Sequence, residues 1–196
     1  MNGNSSLEFF CKIINPVNPD IIVYGFTTGS FYRGMGYAKE LENKISKYSG
    51  KPAITAANAV LYALKNIGAK KISIVTPYLS WNNKVLNDFF KETKYEVLGI
   101  HGDERPTDIA KLDRITHKDK DFALDWIVKN YDKECDTILL PCTAWQTYGC
   151  ITELEKTLQK KVVTLNQALL WYCSNYLKFN ADYKNSGSLF DYSLAL

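Results

Sequence analysis

The sequence predicts an α/β protein in which parallel strands alternate with helices. Short apolar segments rich in β-branched residues alternate with amphipathic segments of helical period along most of the chain. The strand segments are apolar without interruption, which is typical of parallel strands covered by helices on both faces. Because the chain has 196 residues, it can bury a core for one large or two small domains.

Turn and capping residues set the limits of these elements. Thr55 is expected to cap a helix that Gly68 closes, and Pro77 ends the clearest strand. Strands are predicted over residues 20–24, 53–54, 71–76, 95–100, 137–140 and 162–164. Helices are predicted over residues 35–48, 56–67, 81–91, 107–112, 120–129, 146–159 and 166–177. Residues 101–106 are expected to form a loop, and the tail from Asn180 is expected to pack on the body or on a neighbouring chain.

Two strand ends carry a similar pattern. The strand at 21–24 leads to Thr27-Thr28-Gly29-Ser30, and the strand at 137–140 leads to Cys142-Thr143. Each places small hydroxyl or thiol side chains where a strand passes into a helix. The pattern favours two pseudosymmetric lobes that face one cleft. We assign residues 1–68 with 162–196 to the first lobe, and residues 69–161 to the second.

The composition is ordinary for a globular protein, with 46% hydrophobic and 23% charged residues. The net charge of +3 is small and the basic residues are scattered, which argues against nucleic-acid binding. No apolar run approaches the roughly 18–20 residues that span a bilayer, and the N-terminus lacks the pattern of a secretory signal. We therefore expect a cytoplasmic protein without a membrane partner.

The histidines and cysteines do not form a metal-binding pattern. The five cysteines are an odd number without zinc-like spacing, which indicates reduced thiols. A metal site needs three or four convergent ligands. His101 and His117 are not accompanied by such a set, and His101 with Asp103 and Glu104 is expected in a solvated loop.

Cys142 is the clearest candidate for chemistry. An apolar strand stops at Pro141, and a thiol and the hydroxyl of Thr143 follow. Ligands of open α/β sheets bind at the carboxyl ends of strands, and the dipole and amides of a following helix can lower the pKa of a thiol. The alternative is a small core residue, since free cysteine is often buried. The other thiols are expected in the core: Cys11, Cys135, Cys150 and Cys173.

Two other strand ends offer hydrogen-bond donors. The segment Thr27-Thr28-Gly29-Ser30 is either a cradle for a carboxylate or a well-capped turn. Tyr78 could donate to an oxyanion or be a half-buried turn residue. Asn82 and Asn83 are expected to begin a helix, where capping is their ordinary role. The spacing of a P-loop, of GxGxxG and of a GxSxG nucleophile elbow is absent.

These residues make the chain similar to a known group of enzymes. It resembles the aspartate/glutamate racemase superfamily, in the branch of the maleate cis-trans isomerases and arylmalonate decarboxylases. The matching segments lie in the family's order between Ile21 and Leu177: Thr27-Thr28-Gly29-Ser30-Phe31-Tyr32-Arg33-Gly34, Ala63-Leu64 with Gly68, Thr76-Pro77-Tyr78 with Asn83, Leu139-Leu140-Pro141-Cys142-Thr143, and Asn166-Gln167-Ala168 with Trp171.

The resemblance implies two Rossmann-like lobes and chemistry without a cofactor or metal at the carbon next to a carboxylate. The catalytic thiol of the second lobe corresponds to Cys142. The first-lobe thiol of racemases and cis-trans isomerases corresponds to Phe26, and arylmalonate decarboxylases also lack that thiol. The resemblance therefore favours a decarboxylase-like enzyme with Cys142 as the proton donor. The groups expected to bind the substrate are Thr27, Thr28, Tyr78 and the amide of Thr143, with Ser30 and Asn83 in support.

Two alternatives follow from departures from the family pattern. Family members begin with a further strand, whereas this sequence starts close to the helix before Ile21. The first lobe is thus expected to be truncated at its N-terminus or completed by a neighbouring subunit, as in a homo-oligomer. This departure, together with Phe26, favours the alternative of a non-catalytic protein that binds a small carboxylate or dicarboxylate. The other alternative is a maleate cis-trans isomerase-like enzyme.

Overall fold

A computed structural model describes residues 3–103, 120–179 and 183–194. The predicted helix at 107–112 and His117 lie outside these residues, as do residues 104–106 of the predicted loop. The described helices are α1 Gly3–Ile14, α2 Thr27–Phe31, α3 Met35–Ser49, α4 Ala56–Asn66, α5 Ser80–Phe90, α6 Lys120–Lys129, α7 Ile151–Leu158 and α8 Leu165–Tyr176. Short 3-10 helices cover Asn15–Val17, Tyr148–Cys150 and Ser188–Asp191.

The strands form two separate parallel sheets, which confirms the predicted fold class. Strands β1 Ile22–Tyr24 and β2 Ala53–Thr55 pair with each other. The second sheet has the order β4-β3-β5-β6. Its strands are β3 Lys71–Thr76, β4 Glu96–Gly102, β5 Thr137–Leu140 and β6 Lys161–Thr164. Strand β5 is buried along its whole length, as expected for a central parallel strand.

The helices that link these strands begin and end for reasons that the sequence makes visible. The Thr55 side chain accepts a hydrogen bond from the Asn58 amide and caps α4, as predicted. The Thr164 hydroxyl and Gln167 form a reciprocal capping box at the start of α8. Gly50, with φ of 69°, ends α3 in the left-handed conformation. None of the helices in the described ranges is long and apolar enough to cross a membrane.

Strand β6 joins the four-stranded sheet, whereas the helix that follows it packs against the first part of the chain. Leu140 of β5 lies opposite Thr164 of β6, and α8 packs on α4. Residues 162–196 were assigned to the first lobe, but β6 pairs with the four-stranded sheet and only the helix after it packs on α4. The assignment of the chain to two domains stays a prediction.

Several predicted boundaries differ from the structure, among them the end of β4 and the start of α7. Strand β4 extends to Gly102, because Val75 and Thr76 of β3 pair with His101 and Gly102; His101 is therefore not in a loop. The helix predicted from residue 146 begins only at Ile151, after a turn and a 3-10 helix. The Trp145 side chain is buried within that turn.

The C-terminal segment packs on the body of the same chain, which was one of the two expectations. The Trp171 indole donates to the Tyr192 carbonyl at 2.7 Å. The Glu155 carboxylate accepts from the Ser188 amide at 2.8 Å and from its hydroxyl at 2.7 Å. Leu189 is fully buried. The described tail is thus fixed over β6 and α8.

Candidate active site

The candidate site lies at the carboxyl ends of strands from both sheets. The Thr143 hydroxyl, after β5, donates to the Gly25 carbonyl, after β1, at 3.3 Å. The Tyr78 hydroxyl, after β3, donates to the Pro141 carbonyl at 3.0 Å. These two bonds bring the three strand ends together around Cys142.

The Cys142 thiol is buried, with 4% of the residue exposed. Burial raises its pKa above the ordinary thiol value, because the thiolate loses its hydration. The Tyr78 hydroxyl and the backbone N–H groups of Ala144 and Trp145 lie close to the sulfur and partly offset that rise. The expectation of a lowered pKa is therefore wrong. The amides are present, but no helix begins directly after Cys142, and desolvation is the larger effect.

Tyr78 is held by a network that includes Asn83. The Asn83 side chain accepts from the Thr76 hydroxyl at 2.7 Å and donates to the Tyr78 carbonyl at 3.4 Å. A Cβ at Gly102 would lie 2.0 Å from Asn83 Nδ2, so the glycine makes room for this amide. Burial raises the pKa of Tyr78 well above its usual value, which keeps the phenol protonated. Asn83 thus orients Tyr78; the N-cap of α5 is Leu79.

Thr27 offers a buried hydroxyl without a committed partner. The residue is 3% exposed, and its Oγ1 makes no hydrogen bond of good geometry with the described residues. The same side chain lies close enough to the Tyr78 hydroxyl to lower the pKa of the phenol. A buried hydroxyl without a partner is costly, so this group is suited to a ligand.

The other hydroxyls of the predicted cradle already have partners. Thr28 Oγ1 donates to the Asn82 side chain at 2.9 Å. Ser30 Oγ donates to the Thr27 carbonyl at 2.8 Å and accepts from the Ala57 amide at 3.2 Å. Ser30 therefore links α2 to α4 and holds the backbone carbonyl of Thr27.

Phe26 is the N-cap residue of α2 and directly precedes Thr27. The residue is 62% exposed, and its ring packs against Tyr24 with the centroids 6.4 Å apart. A Cβ at Gly29 would lie 2.4 Å from the Phe26 ring. The glycine that the sequence suggested for close approach of an anion thus makes room for this aromatic ring.

His101 pairs with a carboxylate but belongs to no group of three potential metal ligands among the described residues. His101 Nε2 lies 2.8 Å from Asp132 Oδ2, and the Ser73 hydroxyl donates to the same oxygen at 2.9 Å. Within residues 3–103, 120–179 and 183–194, no three histidine, cysteine or acidic side chains converge as a metal site.

Comparison with known protein families identifies the family to which the chain belongs. The family model for arylmalonate decarboxylase matches residues 18–190. The chain belongs to the arylmalonate decarboxylase family. The matched range contains every residue of the candidate site, from Thr27 to Thr143.

Individual relatives in this family include both decarboxylases and isomerases. Arylmalonate decarboxylase of Bordetella bronchiseptica is 30% identical over 152 residues, which cover 74% of this chain and 60% of the relative. Maleate isomerase of Pseudomonas putida is 27% identical over 152 residues, which cover 74% of this chain and 59% of the relative. The chain thus spans about three-fifths of the length of these two relatives.

Solved structures of the same enzymes share the fold. A crystal structure of arylmalonate decarboxylase matches with a TM-score of 0.84 at 25% identity, over 96% of this chain and 82% of the other. Maleate isomerase from Pseudomonas putida S16 matches with a TM-score of 0.84 at 20% identity, over 95% of this chain and 76% of the other.

Sequence reasoning gave no role to two residues beside Cys142. Asn166 Nδ2 donates to the Thr143 carbonyl at 2.9 Å. The buried Trp145 indole N–H makes no hydrogen bond within the described part of the chain. Asn166 is part of a segment shared with the family, and the parallel pairing of β5 with β6 could have indicated its proximity to Thr143.

Proposed function

We propose that the chain is a cofactor-independent enzyme that acts at the carbon α to a carboxylate of a small carboxylic or dicarboxylic acid. Its leading reaction is the decarboxylation of a malonate, with Cys142 as the proton donor. The observation that supports this most is the buried thiol, whose raised pKa keeps it protonated beside hydrogen-bond donors from the loops after β3 and β5.

The reaction proceeds in two steps. The bond between the α-carbon and one carboxylate breaks, CO2 leaves, and the electron pair remains on an enediolate-like anion. The Cys142 S–H bond then breaks and its proton goes to the α-carbon. The resulting thiolate is stabilised by the nearby N–H groups of Ala144 and Trp145, until water returns a proton to the sulfur.

The remaining carboxylate needs donors as its charge develops. The Thr27 hydroxyl is free to donate. Thr28 and Thr143 would exchange their present acceptors, Asn82 and the Gly25 carbonyl, for a substrate oxygen. The Tyr78 hydroxyl and the Thr143 amide complete the proposed set. Loss of one such donor typically raises a barrier by about 3–4 kcal/mol.

Phe26 favours decarboxylation over isomerisation or racemisation. Racemisation needs one group to remove a proton and a second group to return it from the opposite face. A phenyl ring cannot do either, and Phe26 stands where the second thiol of such enzymes is expected. A single acid is enough for decarboxylation, because the departure of CO2 generates the carbanion.

The decisive experiment compares wild type with Cys142→Ala on arylmalonates, alkylmalonates and maleate. We expect wild type to release CO2 from a malonate. The variant should turn over at least about a hundredfold more slowly while still binding the carboxylate. Cys173→Ala, which removes a half-buried thiol of α8, is the matched control and should keep wild-type activity.

Incorporation of deuterium from D2O tests whether the reaction is a decarboxylation. In D2O, one deuterium at the α-carbon of the product is expected from decarboxylation. Full activity of Cys142→Ala would overturn the assignment of the proton donor. Carboxylate binding without turnover by the wild type would instead favour a non-catalytic binding protein.

A further inference from the structure

We infer that Asn166 is a positioning residue for Cys142: its side-chain amide holds the Thr143 carbonyl so that the N–H of the same peptide unit faces the Cys142 sulfur. The inference deepens the proposed function, on which its catalytic meaning rests. Its test, however, measures the thiol and does not require turnover.

Sheet topology brings Asn166 to this position. Strands β5 and β6 are parallel neighbours, with Leu140 opposite Thr164. Parallel strands end at the same edge of a sheet, so the residues that follow them are adjacent. Asn166 lies in the first turn of α8, whose N-cap is Thr164, and its side chain reaches the loop after β5.

The peptide unit between Thr143 and Ala144 links the two groups. Asn166 Nδ2 donates to the Thr143 oxygen at 2.9 Å, and the Ala144 N–H on the other side of the same peptide unit lies close to the Cys142 sulfur. In a planar trans peptide the C=O and N–H bonds point in opposite directions. Holding the oxygen on one side therefore aims the N–H at the sulfur on the other side.

The bond from Asn166 also strengthens the donor that it aims. A hydrogen bond accepted by a peptide oxygen polarises the unit and makes its N–H a better donor. The thiolate gains more from this N–H than the neutral thiol does, because hydrogen bonds to charged groups are stronger. Asn166 thus stabilises the form of Cys142 that remains after proton transfer.

Thr143 is fixed at a second point, which limits other ways of orienting the peptide. Its hydroxyl donates to the Gly25 carbonyl at 3.3 Å. That bond holds the side chain and does not contact the following peptide. The carbonyl of that peptide is held by the Asn166 side chain.

The test is the pH profile of Cys142 alkylation by iodoacetamide, followed on the Cys142 peptide by mass spectrometry. Asn166→Leu keeps the approximate size and removes the donor. We expect its profile to move to higher pH and its rate below the midpoint to fall about three- to tenfold. Tyr78 is the titratable group that contacts the sulfur, and the substitution does not change it.

Asn175→Leu is the matched control. Asn175 lies on the same helix, and its side-chain amide also donates to a backbone carbonyl, that of Trp171, at 2.9 Å. This variant should keep the wild-type alkylation profile. An unchanged profile in a folded Asn166→Leu protein would overturn the inference, even if the wild type is active.

Nuclear magnetic resonance of the wild type keeps the inference testable if Asn166→Leu does not fold. The Ala144 amide and the Asn166 side-chain NH2 resonances should both titrate with the Cys142 midpoint, and Cys142→Ala should abolish that titration. Asn166 resonances that stay constant while the thiol ionises would contradict the proposed link.

Discussion

Burial gives Cys142 the protonation state that a proton donor needs. A thiol in water has a pKa of about 8.5, and desolvation raises the pKa of Cys142 above its ordinary value. A general acid works while it holds its proton. The same burial would hinder a nucleophile or a base, which must be a thiolate.

The need for a protonated thiol predicts how the rate of turnover depends on pH. The rate of the proposed decarboxylation should stay constant through neutral pH and fall at alkaline pH, as Cys142 loses its proton. The midpoint should lie above about 8.5 and should coincide with the thiolate absorbance that is lost in Cys142→Ser. A rate that rises with a midpoint below neutrality would indicate a thiolate mechanism instead.

At the scale of elements, the C-terminal segment depends on a close approach at Gly187. This residue has φ of 80°, and a Cβ there would lie 2.3 Å from Ile151 Cγ2 and 2.9 Å from Gln167 Nε2. The segment then continues to Ser188, which is held by Glu155. Only a glycine satisfies both the backbone conformation and the packing against α7 and α8.

Gly187→Ala is therefore expected to lower the free energy of unfolding by about 2–4 kcal/mol, from left-handed strain and overpacking. Gly36→Ala is the matched control, since a Cβ there meets no atom within 4 Å and α3 gains helix propensity. Urea denaturation measures both. Equal free energies of unfolding for the two variants would show that the C-terminal segment accommodates the added methyl group without loss of stability.

At the scale of the whole molecule, buried thiol and phenol groups make the free energy of unfolding depend on pH in the alkaline range. Burial raises the pKa of Cys150 to about 11 and the pKa of Tyr95 and Tyr172 to about 12. In the unfolded chain these groups ionise at lower pH, so the unfolded state releases protons first. Their contribution to stability is complete below the unfolded pKa and is lost as pH rises to the folded value.

The free energy of unfolding should consequently fall between about pH 8.5 and pH 11. Cys150→Ser removes one titrating group, so its loss of stability from pH 7 to pH 10 should be smaller than that of the wild type. Between pH 6 and pH 7, where the thiol does not titrate in either state, the two proteins should respond alike. Parallel curves across the alkaline range would contradict the contribution of Cys150.

Local sequence patterns were enough to predict most elements and the strand ends that carry the site. Strands β3 and β5 and helix α6 have the predicted limits, because periodicity and turn residues act over short distances. The proline-cysteine pair after β5 and the hydroxyls after β1 were likewise visible in the sequence. Parallel strands place such residues at one edge, so their proximity followed from the fold class.

Long-range packing set the features that the sequence left open. The pKa of Cys142 depends on the balance between desolvation and the polar groups of Tyr78, Ala144 and Trp145 that lie near the sulfur. Two contacts also join residues far apart in the chain: the pairing of His101 with Asp132 and the hydrogen bond of Asn166 to Thr143. The delayed start of α7 is a further feature that the sequence left open. Local periodicity cannot report these contacts, because hydration, side-chain pairing and loop path are settled only when the sheets and helices enclose them.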